Sequence, residues 1–321
     1  MSKIKFMDFC SGIGGGRLGL EKNGLVCVGH SEIDKNPDKT YNLFFGDYNN
    51  YGDLMKINVN ELPDFDFMIG GFPCQTFSIA GKREGFNDYR GMIIYGLINI
   101  LKIKNIKYFL FENVKGLISH DKGNTFKIIQ NELNNAGYNV YSKILNSSHF
   151  SVPQKRERIY LVGIKKEIDN NKFKFPTGEP LKYNFSDFID DGNSHVFDIY
   201  SPTFQKYLNN KYNKGKYTTE DILKLNDVVI DTRQSDIRIY QKIFPTLRTG
   251  RHGLLYVKNG VVKKLSGYES LLLQGFPKKL SEKIKDNEDF KDNKILSQAG
   301  NAMTVTVIEE IVKNIIDSLD L

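Results

Sequence analysis

Tryptophan is absent from the 321 residues, and cysteine occurs only three times. No apolar run reaches the roughly 20 residues that a membrane-spanning helix needs. The N-terminus also lacks the charged-then-apolar layout of a secretory signal. The expectation is a soluble, cytoplasmic protein with no membrane partner. Cys10, Cys27 and Cys74 are odd in number and show no CxxC spacing, which argues against a disulfide framework and against a zinc site, so no metal is expected. In a reducing cell such a thiol stays free for chemistry. Internal repeats and long low-complexity segments are missing too.

What is present is a chain that is 40% hydrophobic and 12% aromatic, enough to bury a sizeable core in one large domain or in a main domain with a smaller companion. The net charge of +7 suggests a polyanionic partner, and its distribution says more than its size. Residues 189–232 carry five Lys/Arg and seven Asp/Glu, whereas residues 233–264 carry eight Lys/Arg and one acid, Asp236. A solvated basic face is the plain reading of that second cluster. Four arginines interleaved with Tyr240, Phe244 and Tyr256 favour nucleic acid.

The first half alternates apolar runs with helical stripes. Ile4–Phe9, Leu25–Gly29, Phe65–Ile69, Tyr108–Phe111, Val140–Leu145 and Ile159–Ile164 read as strands. Ile94, Leu97, Ile98 and Leu101 repeat at helical spacing, as do Phe126, Ile129 and Leu133 before a stop at Gly137. This alternation predicts a mostly parallel α/β sheet with helices on both faces. From about residue 166 the pattern turns loop-like, with Pro176, Pro180, Pro202 and the run "NNKYNKGK". A final stripe, Ile308, Ile311, Val312, Ile315 and Leu319, predicts a helix whose partner is the first sheet. A small domain inserted into a larger one follows, with 189–265 as the insert and 1–188 plus 266–321 as the host.

In open parallel sheets ligands bind beyond the carboxyl ends of the strands, and the informative residues fall there. After the first strand comes "DFCSGIGGGRLG", in which Gly14-x-Gly16-x-x-Gly19 fits the dinucleotide fingerprint. Glu32, after the second strand, suits ribose hydroxyls. A nucleoside-containing cofactor and a structural glycine turn both remain open on these residues. After the third strand, "GGFPCQTFS" sets Cys74 behind Pro73, which constrains the sulfur. A lone cysteine is more often a buried small hydrophobe, but this position favours a nucleophile. "FENVKG" places Glu112 and Asn113 at the next strand end, where an acid is either a turn residue or the partner of that thiol. In "QKRERIY" the two-residue spacing of Gln154, Arg156 and Arg158 aims all three at one face if the chain is extended. The choice lies between a solvated strand entry and a row of cationic forks that hold an anion or a carbonyl.

Taken together and in order, "FMDFCSGIGG", "GGFPCQTFS", "FENVKGL", "VPQKRERIYLVG" and "QAGNAMTVTV" resemble the motifs of the cytosine-5 DNA methyltransferases. The match spans roughly residues 4–164 and 265–312. The resemblance implies a Rossmann-like S-adenosylmethionine-dependent methyltransferase domain with a small inserted target-recognition domain. It implies double-stranded DNA as substrate and a flipped cytosine. Cys74 would add to carbon 6 of the base, Glu112 would bond the ring nitrogen and amine, Arg158 the carbonyl oxygen, and Arg156 would orient the carboxylate. Asp8, Cys10, Gly12, Gly14, Gly15, Glu32, Ile33, Asp53, Pro73 and Asn301 would line the cofactor. The loop from Phe77 to Tyr89, with Ser78, Ile79, Lys82 and Arg83, would close over DNA, Gly81 and Gly85 allowing the motion. Arg233, Gln234, Ser235, Arg238, Arg248 and Arg251 would meet phosphates or bases, with Gln234 or Ser235 filling the gap left by the flipped base. The family's usual setting implies a prokaryotic restriction–modification system with a cognate endonuclease as functional partner, and a monomer is expected.

The chain departs from the family pattern at three places. Cys10 stands where Phe is common and Ile33 where an aromatic is common, so smaller groups would flank the adenine. Tyr268-Glu269 replaces a usual Arg-Glu. Three rival readings are an RNA cytosine methyltransferase, a catalytically silent DNA binder and a nicotinamide oxidoreductase. The last leaves Cys74, Glu112 and the basic segment without a role.

Overall fold

The strand-and-helix alternation of the first half becomes one six-stranded sheet. The computed structural model describes residues 3–46, 49–72, 93–180, 183–189, 192, 195–285 and 287–319. They pack as two units: Met1–Asn146, Glu157–Gly178 and Ala302–Leu321 form the first, and Ser147–Arg156 with Glu179–Asn301 form the second. Residues 147–156, 179–188 and 266–301 have their neighbours in the second unit.

In the first unit, β1 (Lys5–Phe9), β2 (Val26–Ser31), β3 (Phe67–Gly71), β4 (Tyr108–Val114) and β5 (Tyr138–Asn146) are followed by β6 (Gln154–Lys155), which belongs to the second unit, and by β7 (Glu157–Lys165). The sheet order is β2-β1-β3-β4-β7-β5. The first four strands are parallel, and β7 runs antiparallel to both neighbours. Met7, Phe9, Met68, Phe109, Phe111 and Leu161 are fully buried in its core. Burial of each such side chain is worth about 1.5–3 kcal/mol.

Helices α1 (Gly15–Glu21), α2 (Lys35–Phe45), α3 (Ile93–Ile103) and α4 (Asn124–Asn135) connect the strands. The α3 stripe buries Ile94, Leu97, Ile98 and Leu101, as its spacing predicts. Asp34 caps α2 by accepting the Asn36 N–H at 2.9 Å. The last helix, Val305–Leu319, buries Ile308, Ile311, Val312 and Ile315. It packs on α1, where Gly19 lets Ile308 approach, so its partner is a helix of the sheet's outer layer.

The second unit is more regular than its sequence reads. β8 (Val228–Asp231), β9 (Arg238–Gln241), β11 (Leu254–Lys258) and β12 (Val261–Lys264) form an antiparallel sheet in the order β12-β11-β8-β9, while β10 (Phe244–Pro245) pairs with β6. Short helices Pro202–Leu208 and Thr219–Leu223 close its core of Phe204, Leu208, Ile222, Ile230 and Val257. Elements of four to seven residues are too short to show a period, which is why this region reads as loop. Among the described residues no helix is long and apolar enough to cross a membrane.

Candidate functional site

Beyond β1 the chain turns through Cys10 (φ 51°) and Gly12 (φ 55°). A Cβ on Gly12 would meet nothing within 4 Å among the described residues, so its main chain borders open space in a conformation that favours glycine. Gly14 and Gly15 are small for a different reason: a side chain there would run into the Phe45 ring and the Met303 carbonyl. Neither position has room for a side chain, whereas Gly12 borders open space.

Glu32 is fastened to this turn. Its Oε2 accepts the Gly12 N–H and its Oε1 the Asp34 N–H, both at 2.8 Å. Burial raises its pKa even against these donors. Asn50 brackets the same residue: its Oδ1 accepts the Glu32 N–H at 3.0 Å, and its Nδ2 donates to the Glu32 carbonyl at 3.0 Å and to Asp38 Oδ1 at 2.8 Å. His30 Nε2 lies 3.0 Å from Asp38 Oδ1, its ring stacked on Tyr41 at 3.9 Å. Burial, then the nearby charges of Glu32, Asp8 and Asp53, push the Cys10 thiol up to about 12. Those four residues thus surround one turn. Asp8 is buried, its Oδ2 and the buried Ser11 Oγ have no hydrogen-bond partner among the described residues, and burial holds the Asp8 carboxyl well above its usual range. Asp53 caps the Met55 N–H at 3.0 Å, and Ile33 is 63% exposed. Asn301 lies in the second unit, accepting from Thr249 Oγ1 at 2.5 Å. An orphaned carboxylate oxygen, an orphaned hydroxyl and open main chain suit a polar, nucleoside-bearing donor.

Glu112 is the fifth residue of β4 and pairs in register with Gly71, the last residue of β3. Arg158 Nε stands 3.1 Å from Glu112 Oε1, with both side chains largely buried. Next to it, Asn113 Nδ2 donates to the Phe72 carbonyl at 2.7 Å in a buried bond. Asn113 therefore fixes the main chain just ahead of Pro73 and Cys74. Those two residues lie outside the described residues, as do Ser78, Ile79, Gly81, Lys82, Arg83 and Gly85.

The Gln154–Arg158 segment alternates as expected, with Gln154 and Arg156 buried and Lys155 and Glu157 exposed. The three inward groups have separate partners. In the second unit Gln154 Nε2 donates to the Leu273 carbonyl at 2.9 Å, Gln154 Oε1 accepts the Leu247 N–H at 3.0 Å, and Arg156 Nη1 donates to the Gly300 carbonyl at 3.0 Å. Arg158 belongs to the first unit and to Glu112. Gln154 and Arg156 thus hold main-chain carbonyls, and Arg158 pairs with a carboxylate.

Of the basic candidates, Arg233 is not an outward group. Its Nε and Nη2 fork onto Asp231 at 2.7 and 2.8 Å, and its Nη1 donates to the Thr246 carbonyl at 2.7 Å, with both ion-pair side chains buried. Burial pushes Asp231 up, but the Arg233 fork outweighs it and holds the carboxyl below its usual value. Gln234, Ser235, Arg238, Arg248 and Arg251 are exposed. Arg238 pairs with Asp236 at 3.0 Å and donates to Gln234 Oε1 at 3.3 Å.

The C-5 cytosine-specific DNA methylase family model matches residues 4–317. Among curated proteins, the chain is 37% identical to the Type II methyltransferase M.HaeII of Haemophilus aegyptius, covering 100% of this chain and 95% of that one. It is 31% identical to the Type II methyltransferase M.HhaI of Haemophilus parahaemolyticus, covering 100% and 96%. Among solved structures, the S. pombe Dnmt2 methyltransferase superposes with a TM-score of 0.72 at 17% identity, over 99% of this chain and 100% of that one. The fold and the site define a Rossmann-like methyltransferase. The chain belongs to the C-5 cytosine-specific DNA methylase family, and its reaction is cytosine-5 methylation of DNA with a methyl donor of the S-adenosylmethionine type.

Proposed function

We propose that this enzyme takes a cytosine out of a short duplex site and methylates it by covalent catalysis from Cys74, with S-adenosylmethionine as donor. The observation that carries the reading is the Glu112–Arg158 pair, 3.1 Å apart on β4 and β7, beside the strand that leads to Pro73-Cys74. The pair matches the edge of a cytosine: one Glu112 oxygen accepts from the exocyclic amine, the other shares a proton with the ring nitrogen, and Arg158 donates to the carbonyl oxygen. Arg156, whose Nη1 donates to the Gly300 carbonyl, is the residue we assign to orienting the carboxylate.

Carbon 5 of cytosine is a weak nucleophile. Addition of the Cys74 thiolate to carbon 6 forms the S–C6 bond and moves the ring's electron pair onto carbon 5 and the Glu112-bonded edge. When bound, the donor supplies an electrophilic methyl group on a sulfonium. Loss of the carbon 5 proton to a base then restores the double bond and expels the Cys74 sulfur. Asp8, Cys10, Gly12, Glu32, Ile33 and Asp53 hold the donor, Glu32 through its ribose, with Gly14, Gly15, Pro73 and Asn301 completing the lining.

Residues 1–188 with 266–321 serve catalysis, and 189–265 serve target recognition through Gln234, Ser235, Arg238, Arg248 and Arg251. Ser78, Ile79, Lys82 and Arg83 close over the DNA. The enzyme acts as a cytoplasmic monomer, paired in function with an endonuclease of the same site. Transfer of a radiolabelled methyl group from S-adenosylmethionine tests this reading. We expect label in unmethylated duplex DNA, released as 5-methylcytosine, and none with Cys74→Ser. Label in transfer RNA instead would contradict it.

A further inference from the structure

The turn between the helices Pro202–Leu208 and Thr219–Leu223 exposes Lys211, Lys214 and Lys216, with Tyr212 and Tyr217 among them. Lys206 adds a fourth exposed cation, and no acidic residue occurs between Asp198 and Glu220. None of these lysines is in an ion pair among the described residues, and Lys211 Nζ rests 5.0 Å from the Tyr212 ring centre. Two acids on adjoining elements are already engaged, Asp221 in the capping box with Thr218 and Asp236 with Arg238.

The turn is tied to the loop that bears Gln234 and Ser235. Asn213 is fully buried. Its Nδ2 donates to the Ser235 carbonyl at 3.1 Å and to the Tyr207 carbonyl at 3.0 Å, while its Oδ1 accepts the Ile237 N–H at 2.7 Å. Asn210 Nδ2 donates to the same Ser235 carbonyl at 2.9 Å. At the other end of that loop the Arg233–Asp231 fork holds the entry. Hydrogen bonds from Arg238, and in smaller part the charge of Lys216, keep the Asp236 carboxyl below its usual range. The lysine turn and the reading loop are therefore neighbours in one preformed piece.

We propose that the Lys211–Tyr217 turn is a contact surface for the DNA phosphate backbone flanking the recognised site, locked to the reading loop by Asn213. The proposal rests on the reading of Gln234–Arg251 as the DNA-facing segment. Lysines are hydrated point charges on flexible stems, suited to phosphates rather than to base edges. Such contacts add affinity and register without adding sequence information.

The test is a salt titration of binding to a duplex that carries the methylated site, using wild type and the K211A/K214A/K216A variant. Each phosphate neutralised contributes about 0.9 to the slope of log K against log salt. The variant should lose about 2–3 of that slope, with kcat at saturating DNA and the methylated sequence unchanged. All three lysines are exposed, so its melting temperature should match wild type. Charge reversal, K211E/K214E/K216E, should weaken binding further at low salt. A slope equal to wild type in both variants would overturn the proposal. A wild type with no salt-dependent duplex binding would instead overturn the DNA reading on which it rests.

Discussion

Glu32 owes its position less to its own strand than to Asn50, whose amide brackets both the N–H and the carbonyl of that residue. The carboxylate was legible from its place after the second strand. Asn50 was not: it lies 18 residues away, its bonds to Glu32 go to main-chain atoms, and a lone asparagine carries no motif. Asn50→Ala should weaken binding of S-adenosylhomocysteine by about tenfold, equivalent to about 1.4 kcal/mol, while leaving duplex affinity unchanged. Calorimetry with both ligands checks this, and an unchanged donor affinity would remove Asn50 from the site. Arg233 gives the opposite lesson. Its residue type and basic surroundings pointed to DNA, yet Asp231, two positions earlier, takes its fork. A count of charges treats a paired arginine and a free one alike.

At the scale of elements, the strands of the first unit were legible because each is a dense apolar run bounded by turns. Their order was partly so: the parallel β2-β1-β3-β4 set follows from alternation, whereas β7 enters between β4 and β5 by pairing that no local pattern announces. Its fit depends on Gly163, where a Cβ would overlap the Phe109 ring. Gly163→Ala should therefore cost about 1–3 kcal/mol by overpacking, seen as a lower melting temperature; an unchanged melting temperature would contradict this packing. The second unit hid a plain hairpin. Asn259 and Gly260, with φ of 52° and 73°, join β11 to β12 in the two-residue turn that Asn-Gly favours between apolar alternations. That signal was available in "YVKNGVV" and was obscured by the polar stretches before it. Asn113 shows how one element steadies the next, since β4 holds the exit of β3 through the Phe72 carbonyl.

For the whole molecule, the excess of +7 divides unevenly, and averaging conceals part of it. Residues 189–232 are acidic in sum, yet the lysines between Asp198 and Glu220 form a local cationic turn beside the reading loop. The family resemblance identified the reaction because its motifs are ordered and jointly specific, and the matching family model spans residues 4–317. The DNA word is not legible in the same way, since it depends on exposed side chains of short loops. The most direct measurement is bisulfite sequencing of DNA from a methylation-free bacterial host expressing the protein, beside a Cys74→Ser control. Conversion-resistant cytosines in one short sequence context, absent from the control, are the predicted result. Fully converted DNA from cells that contain the soluble wild-type protein would contradict cytosine-5 methylation by this chain.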